Sequence, residues 1–408
     1  MLASLGGYAD AAEAGPIPWD VAALSRAPRV FEDATHDSGQ VKAIFYEGLP
    51  YRGKPTRVFA YYGLPKTKPG STIPAIVLVH GGGGTAFVPW VKLWVGRGYA
   101  AITMDTCGCI TGGSFEEDGR PHPRHKHGGP PGWGGFDQVD EPIADQWTYH
   151  AVADVILANS LIRSFPEVDA EKVGLTGISW GGYLSCIAAG VDSRFRFVVP
   201  VYGCGFLGDN SGWLGNFHEM GRKRARRWLD LWDPSVYLAH ATMPILWVNG
   251  TNDHFYPMDA WQRSYQLPNG PRTLCVRVRM PHSHVDGIAP PEIHVAAESV
   301  INDGIPLARL AQCGREDRRV WITFCSRVPI VKAELNYTMD TGDWEKRSWH
   351  TLPAVLHAKA HKASVLLPPS CRGYYWNLTD GRNLVVSSEC EELWSAMNEP
   401  HCRLQPNR

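Results

Sequence analysis

The 408-residue chain has no excess of charge of either sign: 40 Lys and Arg stand against 41 Asp and Glu, a net charge of -1. With no global field to attract a polyanion, neither a nucleic acid nor an anionic membrane is expected as a partner. The one basic run, Arg222-Lys223-Arg224-Ala225-Arg226-Arg227, stands beside Trp228 and Leu231 and reads as the solvated face of a helix. No run of about 18 apolar residues occurs, so there is no candidate membrane-spanning helix. The opening MLASLGGYADAAEAGPIPWD has no basic segment followed by an apolar core. An export signal is therefore not visible, and cytoplasmic residence is the expectation unless a leader was removed.

Metal and redox signatures are equally scarce. The nearest pair among ten scattered cysteines, Cys107 and Cys109, has a C-x-C spacing that fits neither the usual zinc pairing nor a C-x-x-C redox site. Cys107, Cys186 and Cys275 lie in apolar segments, where free thiols act as small hydrophobes. No H-E-x-x-H pattern occurs, and His122, His125 and His127 fall in a Gly/Pro-rich stretch rather than at i, i+4 on a helix. Neither a metal nor a cofactor is expected. Internal repeats and low-complexity tracts are missing too, and 44% hydrophobic with 20% charged residues is the composition of a folded chain.

What is present is a regular alternation. Residues 1–36, rich in Gly, Ala and Pro, read as a segment wrapping the main domain. The strand candidates VKAIFYE and TRVFAYYGLP, from Val41 onward, suit an antiparallel edge. Continuous apolar runs follow at residues 74–80, 100–104, 173–176, 197–201, 245–248 and 274–278, of the kind that strands covered on both faces require. Helical patterns lie between most of them, as in Trp147, Ala151, Val155 and Ile156. This alternation predicts an α/β fold with a mostly parallel central sheet flanked by helices over residues 37–304. Residues 106–142, rich in Gly, Pro and His, form an insertion long enough to imply that it shapes a binding site. After Gly304 the alternation stops, and short strand candidates between turns predict a C-terminal antiparallel, Ig-like β-sandwich over residues 318–396.

The chemistry concentrates in three places. Gly177-Ile178-Ser179-Trp180-Gly181-Gly182 follows a buried strand and opens a helical stretch, which is G-x-S-x-G in the context it needs to present Ser179 as a nucleophile. His80-Gly81-Gly82-Gly83-Gly84 follows the first core strand, and no Lys completes a phosphate-binding loop. N–H groups of Gly82 or Gly83, with that of Trp180, are candidate oxyanion donors. A base and an orienting acid should follow the serine in the order Ser, Asp, His. Asp253 lies just past a core strand, and Asp259 is a weaker candidate inside the following helix. Beyond the next strand, Met280-Pro281-His282-Ser283-His284 offers two imidazoles. His284, deeper in the loop and with more reach, is the preferred base; His282 is the alternative. Trp133, Phe136 and Trp213, near glycines, suit stacking on a sugar ring, although packing in a core or lid would use the same residues.

Taken together, GISWGGYLSCIAAG, HGGGGTAF, GWGGFDQVDEPIADQWTYHAVADVIL, VNGTNDHFYP and MPHSH resemble bacterial α/β-hydrolases of the acetyl xylan esterase-like or prolyl-oligopeptidase-like kind, related to dienelactone hydrolases, over roughly residues 40–303. The resemblance implies the α/β-hydrolase fold, a triad of Ser179, Asp253 and His284, and deacetylation of carbohydrate esters. The expectation is a serine carboxylic ester hydrolase acting through an acyl-enzyme on a small-molecule or oligosaccharide ester. An amidase or peptidase with the same triad, and an inactive carbohydrate-binding relative, are the rivals. Association with further copies of the chain is left open.

Overall fold

Apolar runs without alternation form strands only where both faces are covered, and the central strands meet that condition. The computed structural model describes residues 17–110 and 122–393; residues 1–16 of the expected wrapping segment, 111–121 of the expected insertion and 394–396 of the expected sandwich lie outside them. Along the first part of the chain run β1 (Val30–Glu32), β2 (Lys42–Tyr51), β3 (Lys54–Gly63), β4 (Ile73–Val79), β5 (Ala100–Met104), β6 (Val168–Ile178), β7 (Val198–Val201), β8 (Ile245–Gly250) and β9 (Arg272–Arg277). Strands β5, β7 and β8 are buried at every residue, whereas β2 mixes exposed and half-buried residues with buried ones. Their order in the sheet is β1-β2-β3-β5-β4-β6-β7-β8-β9. From β5 to β9 the pairing is parallel, and β1 to β3 form the antiparallel edge. The carboxyl ends of β4, β6, β8 and β9 therefore lead to the polyglycine loop, Ser179, Asp253 and the histidine loop on one rim of the sheet, where α/β folds carry their ligands.

Helices cover the sheet. Trp147–Arg163 buries nearly its whole length, and Trp19, ahead of β1, stacks on Tyr149 at 5.8 Å and donates its indole N–H to the Tyr149 carbonyl at 2.8 Å. No helix among the described residues is long and apolar enough to cross a membrane.

The C-terminal strands are β10 (Arg309–Glu316), β11 (Arg319–Cys325), β12 (Ile330–Thr338), β13 (Trp349–Pro353), β14 (Val355–His357), β15 (Lys362–Leu366), β16 (Gly373–Asp380) and β17 (Val385–Ser387). They pair antiparallel in two sheets around a second core that includes Val320, Ile322, Leu335, Trp376 and Leu378. One of those sheets is not separate from the α/β unit. Strand β17 pairs with β9 through Ser387 and Leu274, so the central sheet continues as β9-β17-β16-β12-β13. Trp344, Trp349 and Tyr375 pack into the main core.

The junction is fastened by Glu292, whose fully buried carboxylate accepts from the Val385 N–H at 2.8 Å and pairs with Arg277 at 2.7 Å. Removing it leaves a cation and a partly buried N–H without this partner. Glu292→Ala is expected to lower stability by roughly 2–3 kcal/mol in urea denaturation. Unchanged stability would show that the junction does not depend on this carboxylate.

Candidate active site

Strand β6 passes into the helix Trp180–Val191 through Ser179 alone, and that abruptness forces the backbone of Ser179 to φ 56, ψ -117. A non-glycine residue at positive φ is strained by about 1–3 kcal/mol, and strong surroundings must hold it there. The surroundings are the close approach of chain segments around it. A Cβ on Gly177 would collide with the carbonyl of Gly181, and one on Gly181 with the carbonyls of Val79 and His80. Side chains at either position would push the elbow out of register with β4.

At the elbow three side chains meet in one hydrogen-bonded line. His282 Nε2 lies 2.8 Å from Ser179 Oγ, and His282 Nδ1 lies 2.6 Å from Asp253 Oδ2. The other oxygen of Asp253 accepts the N–H groups of Phe255 at 2.9 Å and Tyr256 at 2.8 Å. These donors stabilise a carboxylate whose side chain is 0% exposed. Because Asp253 accepts, His282 carries its proton on Nδ1 and offers Nε2 to the serine hydroxyl. Tyr202 stacks on the imidazole at 4.4 Å, and its hydroxyl donates to the Pro281 carbonyl at 2.6 Å. Such a line can draw the proton from Ser179 as its oxygen attacks.

The structure places the alternative imidazole, His282, against Ser179, and not the preferred His284. His284 does not meet Ser179; its Nε2 accepts the Gly81 N–H at 2.8 Å. The reason is local. Ser283 is the N-cap of the short helix His284–Ile288, accepting from Asp286 N–H at 3.0 Å, so the chain turns helical at His284 and carries that ring inward. Asp259 is also apart from the line, with both oxygens accepting from the Asn210 amide at 3.0 Å.

Gly81 is held from both sides, since His80 Nδ1 donates to its carbonyl at 2.9 Å while His80 Nε2 accepts the Thr106 N–H at 3.1 Å. The loop abuts Ser179: a Cβ on Gly81 would lie 2.9 Å from Ser179 Cβ, and one on Gly82 would lie 2.8 Å from Trp180 Cδ1. With the Gly81 N–H directed at His284, the neighbouring N–H groups of Gly82 and Gly83 are the loop's remaining candidate donors. Trp180 is the first residue of its helix, where backbone N–H groups have no intrahelical acceptor.

Around the elbow the aromatics form a continuous wall. Trp180 contacts Trp213 at 4.5 Å, Tyr183 at 4.9 Å, Trp147 at 5.6 Å and Phe136 at 6.0 Å. The half-buried Phe136 stacks on Trp228 at 5.0 Å. Trp213 stacks on Phe255, and the half-buried Trp133 lies edge-on to His80 at 5.4 Å. Tyr202 and His80 were not among the expected site residues. A tyrosine at φ 66 carries no sequence signal, whereas His80 was visible at the head of the glycine run.

The model of the acetyl xylan esterase family matches residues 25–211, and that of the PhoPQ-activated pathogenicity-related proteins matches residues 216–310. Among solved structures, the acetyl xylan esterase from Paenibacillus sp. R4 is similar at 22% identity and a TM-score of 0.55, with 70% of this chain and 92% of that chain covered. Acetyl xylan esterase 1 from Thermoanaerobacterium sp. JW/SL YS485 is similar at 18% identity and a TM-score of 0.50, with 67% and 92% covered. These likenesses show that the chain has the α/β-hydrolase fold.

Burial holds the fully enclosed His80 imidazole down to about 3, from 6.5. The unfolded chain thus takes up a proton here near pH 6.5 and the folded chain only near pH 3. Stability from this residue is complete above pH 6.5 and is lost as pH falls toward 3. Relative to His80→Gln, the wild type is expected to lose up to about 1.4 kcal/mol more per pH unit across that window, measured by urea denaturation. Parallel profiles for the two proteins would contradict a buried neutral His80.

Proposed function

We propose that the protein is a serine carboxylic ester hydrolase that works through an acyl-enzyme and deacetylates carbohydrate esters. The observation that carries the reading is the line Asp253–His282–Ser179, with contacts of 2.6 and 2.8 Å. In this reaction Ser179 Oγ attacks the ester carbonyl while His282 Nε2 takes its proton. Asp253, whose other oxygen accepts two backbone N–H groups, fixes the tautomer and stabilises the imidazolium. The carbonyl oxygen becomes an oxyanion beside the N–H of Trp180 and those of Gly82 or Gly83. His282 then returns its proton to the departing sugar oxygen, and a water repeats the sequence on the acetyl-enzyme. The sugar reading is supported by the match to the acetyl xylan esterase family and by Trp133 and Trp213 beside the elbow.

On p-nitrophenyl acetate, Ser179→Ala and His282→Ala are each expected to lower kcat by about a millionfold. His284→Gln, which keeps an acceptor near Gly81, is expected to cost less than about 100-fold. The reverse ranking of the two histidines would assign the base to His284, and full turnover by Ser179→Ala would remove the serine mechanism.

A substrate comparison tests the finer reading. Acetylated xylo-oligosaccharides are expected to be deacetylated faster than peptide amides are cleaved, and Trp133→Ala is expected to raise KM for the oligosaccharides by about 2–10-fold. Preference for the amides would favour a peptidase.

A further inference from the structure

Strands β8 and β9 deliver the two side chains whose separation matters most, Asp253 and His282, on loops that begin where the strand pairing stops at Gly250 and Arg277. Just beyond that point Thr251 links the two loops. Thr251 donates its N–H to the Arg277 carbonyl at 3.1 Å, and its Oγ1 accepts the Arg279 N–H at 2.9 Å. Arg279 is itself held at φ 51. The hydroxyl proton of Thr251 goes to Asn252 Oδ1 at 2.7 Å. Both hydrogens of the Asn252 amide reach the C-terminal unit, at the Glu345 carbonyl (2.9 Å) and the Arg347 carbonyl (2.8 Å).

That acceptor turn is itself rigidly built. Arg347, 6% exposed, donates from Nε and Nη2 to the Gly342 carbonyl at 3.1 and 2.9 Å and from Nη1 to Glu392 at 2.8 Å. Its guanidinium lies 3.6 Å from the centre of the Trp344 ring, and Trp344 is part of the main core. Every polar hydrogen of the Thr251 and Asn252 side chains is thus used between three separate segments of chain.

We propose that Thr251 and Asn252 are positioning residues that fix the distance between the Asp253 carboxylate and the His282 imidazole, with the 342–347 turn of the C-terminal unit as their anchor. The inference rests on the reading of Asp253 and His282 as acid and base, and it gives the C-terminal strands a part in catalysis without any contact with substrate. Thr251→Val keeps the shape and removes the hydroxyl; Thr251→Ser keeps the hydroxyl. Asn252→Asp keeps the acceptor for Thr251 but sets a carboxylate against two carbonyls.

The test is a double-mutant cycle on the full chain with p-nitrophenyl acetate. Misplacement by a fraction of an ångström is expected to lower kcat by about 10–100-fold in Thr251→Val and Asn252→Asp, with KM within about twofold. Thr251→Ser is expected to restore kcat to within about threefold of wild type. In an Asp253→Asn background Thr251→Val should cost less than about threefold, because there is no acid left to position. Should Thr251→Val fail to fold, Asn252→Asp takes its place in the cycle. Wild-type kcat in both variants, or a loss of the same size in the Asp253→Asn background, overturns the proposal. Wild-type activity in Asp253→Asn alone would instead overturn the acid assignment, and the proposal with it.

Discussion

The strained turn at Ser179 is the constraint on which the rest depends. A left-handed serine between a strand and a helix stores about 1–3 kcal/mol, which only a large, well-packed surrounding structure can offset. The parallel strands supply it, with β4 and β7 pressed on either side of β6 and the helix Trp180–Val191 packed back on the sheet. The result is a hydroxyl whose position is set by backbone rather than by a side-chain rotamer. His282 and Asp253 then have a fixed target, and the ring of Tyr202 leaves the imidazole little freedom to turn away from it.

The same logic governs the polyglycine loop. Glycines let the loop approach Ser179, but they also give it more conformational freedom than any other residues would. Two buried imidazoles remove that freedom at one residue. His80 donates to the Gly81 carbonyl and His284 accepts from its N–H. Donors aimed at a developing charge are effective only when they are oriented beforehand, and this pair provides that orientation for the loop.

Much of this was legible in sequence, because the decisive signals are local. Apolar runs marked the central strands, and G-x-S-x-G marked the elbow. Asp253 followed from its place after β8. The choice between the histidines was harder: in an extended segment residues two apart face the same side, so spacing could not separate His282 from His284. The discriminating signal was Ser283-His284-Val285-Asp286, a capping box that starts a helix at His284 and turns its ring inward. The continuity of the two sheets was not legible, since it depends on Ser387 meeting Leu274 across more than a hundred residues. No local pattern specifies such a pairing.

That junction also explains why the C-terminal strands are not a detachable appendage. Strand β9 would otherwise be the open edge of the central sheet, with unpaired backbone groups beside the loop that carries His282. The ladder with β17 is a single register pair, and side chains extend it: Val276 donates its N–H to Ser387 Oγ at 2.7 Å and accepts the Asn377 amide at 3.1 Å. Polar side chains here do the work of a missing strand. A site built from loops at the carboxyl ends of strands is only as rigid as the last strand that feeds it, and β9 is that strand. The C-terminal sheet therefore contributes to the geometry of the site through backbone order at its edge, as well as through the 342–347 turn that meets Asn252.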